Sequence, residues 1–129
     1  MTTQRFIDNG DGTITDTLSG LMWSQATIAK DVTSDQAEKA CDELDLAGHA
    51  DWRLPTVEEL FPLADRSKKG PAIDTEFFPD TKNGWYWTST DSALASSYAW
   101  VVSFNYGYAG DNSRNGKACV RAVRSITGE

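Results

Sequence analysis

Apolar and polar residues alternate in short bursts at both ends of this chain and take up a helical spacing only in its middle. Arg5-Phe6-Ile7-Asp8 runs into Asn9-Gly10-Asp11-Gly12, a doubled hairpin-turn signal. Thr13-Ile14-Thr15-Asp16 alternates, Ser19-Gly20 turns again, and Leu21-Met22-Trp23 is a short apolar run, so residues 5–25 predict short strands joined by tight turns. Thr33 and Gln36 then fit a capping box, and Ala37, Ala40, Cys41 and Leu44 share one face of a helix over Ser34–Leu44. A second capping box, Thr56 with Glu59, opens a short helix carrying Val57, Leu60 and Leu63. Pro62 falls inside it and predicts a kink or an early end, because it removes a hydrogen bond and crowds the preceding turn.

Residues 66–84 read as a loop: Lys-Lys-Gly-Pro, then Phe77-Phe78-Pro79 pinning it to the core, then Lys82-Asn83-Gly84. Strands follow at Trp85–Thr90, Tyr98–Asn105, Tyr108 to about Gly110, and Ala118–Ser125. Strands, two helices, a loop and more strands predict an α+β fold in a single domain. At 129 residues the chain is long enough to bury a real core.

Charge narrows the function. The net charge is −7 and no basic stripe is visible, which argues against nucleic acid as a partner. From Tyr86 onward, Arg114, Lys117, Arg121 and Arg124 face Asp91, Asp111 and Glu129, for a net +1, so the preceding residues carry −8. A near-neutral half is where a partner docks with little repulsion. No apolar run reaches the ~20 residues that span a bilayer. Residues 1–8 do not read as a secretory signal, which leaves the cytoplasm, a phage particle or export by another route.

Catalytic and metal motifs fit poorly. Placing Gly12 at the invariant glycine of a calcium loop puts Ile7 and Leu18 where acidic ligands belong, so a plain turn is the better reading. His49 is the only histidine, lies in Ala-Gly-His-Ala, and has no G-x-S-x-G elsewhere to serve. The pairs Asp42-Glu43 and Glu58-Glu59 lie on helices and read as solvated faces. Cys41 and Cys119 are compatible with one long-range bridge or with two free thiols, and Cys41 on the apolar stripe reads as a small buried hydrophobe. No enzyme activity, metal or cofactor is expected.

Residues 96–116 stand apart: Ser, Tyr, Asn and Gly fill 13 of these 21 positions. Antibody paratopes have this composition, in which Tyr gives rigid contact area and the small polar residues give adaptable hydrogen bonds. Strand alternation would send Trp100, Val102 and Phe104 to one face, with Trp100 and Phe104 as buried anchors and Val101, Ser103 and Asn105 facing away. The candidate ligand-binding residues are Tyr98, Ser103, Asn105, Tyr106, Tyr108, Asp111, Asn112, Ser113, Arg114 and Asn115.

Several ordered pieces resemble the DUF1566 family, also called the Lcl C-terminal domain, of the C-type-lectin-like fold group. They are residues 5–13, Thr17–Trp23, Asp51-Trp52-Arg53-Leu54-Pro55-Thr56 with Glu59-Leu60, Tyr86-Trp87-Thr88-Ser89-Thr90, Ala99-Trp100, and Val120-Arg121-Ala122-Val123-Arg124. The resemblance implies two helices packed on small antiparallel sheets, with a ligand-display region over about residues 86–124. It also implies a non-catalytic adhesion or ligand-binding module for a protein or glycan; some relatives are the variable target proteins of diversity-generating retroelements. The alternative is a structural or oligomerisation domain of an adhesin or phage fibre, with the same surface joining subunits. Many relatives have cysteine where this chain has Ala122, and Cys119 lies three residues earlier, so a Cys41–Cys119 bridge is not expected. The Glu-Pro-Asn and Trp-Asn-Asp tripeptides of calcium-dependent sugar-binding lectins are absent, which implies calcium-independent binding.

Overall fold

In the computed structural model, which describes residues 5–65, 67–68, 70–82, 84–93, 97–105 and 107–126, the N-terminal turn signals close as hairpins. Strand β1 (Phe6–Asp8) pairs antiparallel with β2 (Thr13–Asp16), which pairs with β3 (Leu21–Ser24). Between β1 and β2, Gly10 and Gly12 take φ of 77° and 90°, values that favour glycine, and Asp8 and Asp11 accept bonds from the backbone N–H groups of Gly10 and Thr13. These carboxylates are spent on the turn, as the turn reading expected.

Helix α1 (Ser34–Asp42) starts on the Thr33–Gln36 capping box and buries Ala37 and Cys41. Helix α2 (Val57–Leu60) starts on the Thr56–Glu59 box and gives way at Phe61–Leu63 to a 3-10 turn that contains Pro62. The early end predicted from Pro62 is therefore present. One strand was not anticipated: β4 (Ala29–Val32), whose ladder is interrupted where Asp31 takes a left-handed φ of 55°.

The remaining strands are β5 (Trp85–Asp91), β6 (Tyr98–Ser103), β7 (Tyr108–Ser113), β8 (Ala118–Val120) and β9 (Val123–Ser125). A four-stranded sheet has the order β1-β2-β3-β9, and a five-stranded sheet has the order β4-β8-β5-β6-β7. All pairings are antiparallel except β5 with β8, which meet in parallel at Tyr86 and Cys119. The fold class is α+β, with two short helices on two sheets. Of the loop at 66–84, Arg66, Lys69 and Asn83 lie outside the described residues; Phe77 and Phe78 are buried and do pin it to the core.

Two expectations about strands are corrected. The single strand at Ala118–Ser125 is two strands in different sheets, because the chain leaves the first sheet at Arg121. That side chain is wholly buried and donates to the carbonyls of Ser24 and Gln25 and to Thr81 Oγ1, while Ala122 N–H donates to Ser24 Oγ. Strand β7 does not stop near Gly110. Its ladder with β6 runs unbroken from Ser103–Tyr108 to Tyr98–Ser113, and this pairing overrides the turn preference of Asp111, Asn112 and Ser113.

The core lies on both faces of β5 and β6. One cluster joins Ile14, Trp23, Leu60, Phe78, Tyr86, Val102 and Phe104; the other joins Ala37, Cys41, Trp52, Leu54, Trp87, Val101 and Val120. Cys41 and Cys119 fall in different clusters and both are free thiols.

Candidate functional site

The C-terminal strands are held in place by the two sequence motifs that flank them. In Asp51–Thr56, Trp52 Nε1 donates to the carbonyls of His49 and Leu46, which form the ends of a two-residue turn. His49 is thus a turn residue. The Arg53 backbone exchanges hydrogen bonds with Val123 at 2.9 and 3.0 Å, and its guanidinium grips Glu59 with two bonds of 2.8 and 2.9 Å. Glu59 also accepts from Thr56 N–H, so one carboxylate serves both the ion pair and the helix cap. The Arg53 hydrogen bonds hold the Glu59 carboxyl below the usual glutamate range against the opposing effect of burial. From the same motif, the Pro55 carbonyl accepts from Ser89 N–H, and Val57 N–H donates to Thr90 Oγ1. Strand β5 is thereby fixed along its length, with Trp87 Nε1 donating to the Val32 carbonyl on its far side.

Arg121 fixes the other side. Its guanidinium lies 4.8 Å from the centre of the Phe78 ring and 5.9 Å from that of Tyr86. Burial lowers its pKa to about 10, still cationic at neutral pH. The Tyr86 hydroxyl accepts from Lys82 N–H at 2.8 Å and meets Thr27 Oγ1 at 2.6 Å.

On this frame the predicted display residues do not form one cluster. Cross-strand pairing puts Trp85, Ser103 and Tyr108 in a row across β5, β6 and β7, on the face that carries Val101 and Trp87. Tyr98 and Trp100 lie on the opposite face, opposite Ser113 and Asp111, and Tyr98 is about 17 Å along β6 from the Trp85 row. Tyr108 and Tyr98 are exposed, at 47% and 42%.

Three readings from alternation need correcting. Ser103 is buried, because the rings of Trp85 and Tyr108 meet edge to face above it at 5.5 Å; its hydroxyl accepts from Asn105 N–H. Val101 is buried instead of displayed, because β6 has core on both faces. Trp100 is half-buried and belongs to neither core cluster, standing opposite Asp111 beyond Val102. Arg114 is turned inward to the frame: it bonds Asp91 and donates to Ser34 Oγ at 3.2 Å, tying the end of β7 to β5 and to the start of α1.

The other candidates are distributed as follows. Asp111 is exposed and accepts from Ser92 Oγ. Asn105 and Ser113 are half-buried, and Asn115 is exposed. The Asn112 side chain lies so close over Gly116 that a Cβ there would come within 2.7 Å of its Oδ1. Tyr106 lies outside the described residues. Among the described residues, no cluster of His, Cys, Asp and Glu could hold a metal ion, and no helix is long and apolar enough to cross a membrane.

Sequence reasoning missed Trp85, which it read only as the start of a strand. Beyond its contact with Tyr108, the indole covers Gly110, whose position would place a Cβ 3.5 Å from the ring. Trp85 also walls a cleft of about 390 Å³ lined by Lys30, Asp31, Lys82, Lys117 and Cys119. A signal was available in the small residues Ser103 and Gly110 at strand positions; using it required the register, which sets Ser103 between Trp85 and Tyr108.

The family model of the Lcl C-terminal domain matches residues 12–124. No curated protein matches the chain.

Proposed function

Because the chain belongs to the Lcl C-terminal domain family, we propose that it is a non-catalytic ligand-binding module, with a C-type-lectin-like fold, that holds a protein or glycan against the Trp85–Tyr108 ridge. The observation that carries this reading is the ridge itself. Two aromatic rings on non-adjacent strands meet over the small Ser103 and Gly110, on strands anchored by the Arg53–Glu59 ion pair and the buried Arg121. Rigid aromatic side chains lose little entropy on binding and supply most of the energy at interfaces. Asn105 would tune specificity beside these anchors, and Tyr98 and Trp100, with Asp111 across from Trp100, offer a second, smaller patch on the other face. No metal or cofactor is required by this reading. Relatives diversified by retroelements give the same region a rationale for variation.

The test is selection on a printed glycan array and a displayed random-peptide library, repeated with Tyr108→Ala. A ligand held by the parent protein and lost by a variant that still folds supports the ridge. Retention of every selected ligand by Tyr108→Ala contradicts it.

A second reading, assembly of subunits in an adhesin or phage fibre, is favoured by one observation: β7, six residues long, is the outermost strand of its sheet. An outer strand is a natural site for pairing with another chain. Sedimentation at micromolar concentration separates the two, since a stable oligomer that removes Tyr108 from solvent favours assembly.

A further inference from the structure

We infer that the lysine-lined cleft beside Trp85 binds a small monocarboxylate whose flat apolar body rests on the indole, an inference that rests on Trp85 facing ligand as proposed above. The cleft opens where β4, the start of β8 and the start of β5 come together. Lys30 and Asp31 come from β4, Lys117 from the residue before β8, Lys82 from the approach to β5 and Trp85 from its first position.

Charge sets the class of ligand. Lys82 is already paired with Asp80 at 3.0 Å. Among the described residues, no carboxylate lies within ion-pair distance of Lys30 or Lys117, so their two charges meet only the single opposing charge of Asp31 in the cleft. The left-handed backbone at Asp31 accompanies the break in the β4 ladder at this point. Burial raises the pKa of the Cys119 thiol on the cleft wall, so it stays neutral at physiological pH and adds no negative charge. What remains is about one unit of positive charge, on a chain whose total is −7. One carboxylate is matched by that charge. A polyanion would bring charges that the cleft does not neutralise into the field of an acidic protein.

Shape sets the rest. A volume of about 390 Å³ lies at the lower end of the ~300–1,000 Å³ typical of ligand sites, enough for one ring and its acid group. Trp85 is half-buried and is the aromatic residue of the lining, which it shares with the exposed Lys30 and Lys117. A flat ring against the indole with its carboxylate towards the lysines uses both features.

Phenylacetate is a suitable probe, with phenylacetamide as its neutral counterpart and citrate as a polyanion. Titration is followed through the indole N–H resonance of Trp85 in the intact chain. Phenylacetate is expected to shift that resonance saturably, to bind at least tenfold more tightly than either phenylacetamide or citrate, and to weaken at least tenfold in the Lys30→Gln/Lys117→Gln double variant. Both lysines are exposed, so the variant should keep the parent melting temperature. No saturable shift, equal binding of phenylacetamide or citrate, or undiminished binding by the double variant would each overturn the inference. The titration is repeated in Tyr108→Ala. Survival of every selected ligand in Tyr108→Ala sinks the ridge reading alone, whereas a phenylacetate failure alongside a selected ligand that needs Tyr108 sinks the cleft alone.

Discussion

Trp85 and Tyr108 touch edge to face at 5.5 Å although a whole strand, β6, runs between theirs. The contact exists because the intervening residue is Ser103, opposite both, and because Gly110 leaves room under the indole. A larger residue at 103 would stand between the rings. Ser103→Leu is expected to destabilise the fold by about 1–3 kcal/mol through overpacking. Thermal unfolding with near-ultraviolet circular dichroism checks this: the aromatic signal should change along with the melting temperature. An unchanged spectrum would mean that the rings do not depend on a small residue there.

Tyr108→Ala should be far milder. The side chain is 47% exposed, and the ring pair it would lose contributes about 0.5–1.5 kcal/mol. Chemical denaturation measures it, and a loss several times larger would make Tyr108 a core residue rather than a ligand anchor.

Arg121 is expected to be among the costliest side chains to truncate. Replacement by Met leaves the Ser24 and Gln25 carbonyls and the Thr81 hydroxyl without their buried donor, each worth about 1–3 kcal/mol when unsatisfied. A total loss of about 3 kcal/mol or more is expected in urea unfolding. Arg124→Ala, which removes a pair with the exposed Asp51, should change stability much less.

Two pH effects follow from the titrating groups. The Glu59 carboxyl is held below its ordinary value by Arg53, so its contribution is complete at neutral pH and is lost as pH falls into and below the ordinary glutamate range. The stability difference between the parent protein and Glu59→Gln should therefore shrink on acidification from pH 7 towards 3. Melting temperatures across that range check it.

At the other end, burial, reinforced by Asp42 and Glu38, pushes the Cys41 thiol from an ordinary value of 9.0 up to about 12. Between those values only the unfolded chain ionises it, so stability falls as pH rises through that window, by at most about 1.4 kcal/mol per unit for this group. Cys41→Ala should remove that part of the slope, measured by urea unfolding at pH 8 and pH 10. The native thiol should also resist alkylation at pH 8 until the protein unfolds.

Features decided by neighbours in the chain could be read from the sequence. The two capping boxes, the apolar stripe holding Ala37 and Cys41, the glycine turns after β1 and the interruption at Pro62 all depend on residues within a few positions of one another. Features decided across the fold could not. Arg121 splits a continuous alternating segment only because carbonyls from residues 24 and 25 and the hydroxyl of Thr81 await it. Alternation correctly grouped Val102 with Phe104 but made Ser103 a displayed residue, since the rings that cover it come from two other strands. The pairing of Arg114 with Asp91 and Ser34 joins residues 23 and 80 positions apart, which the sequence does not display. Composition singles out one stretch of chain, and register divides its residues between two faces.

The most direct test of ligand recognition by the ridge uses the indole N–H resonances of the five tryptophans, recorded with and without a saturating ligand from the array or peptide selection. The Trp85 resonance should move, together with the backbone amide of Tyr108, while those of the buried Trp23, Trp52 and Trp87 stay in place. Movement confined to Trp100 and Tyr98, with Trp85 unchanged, would put the ligand on the opposite face and contradict the account.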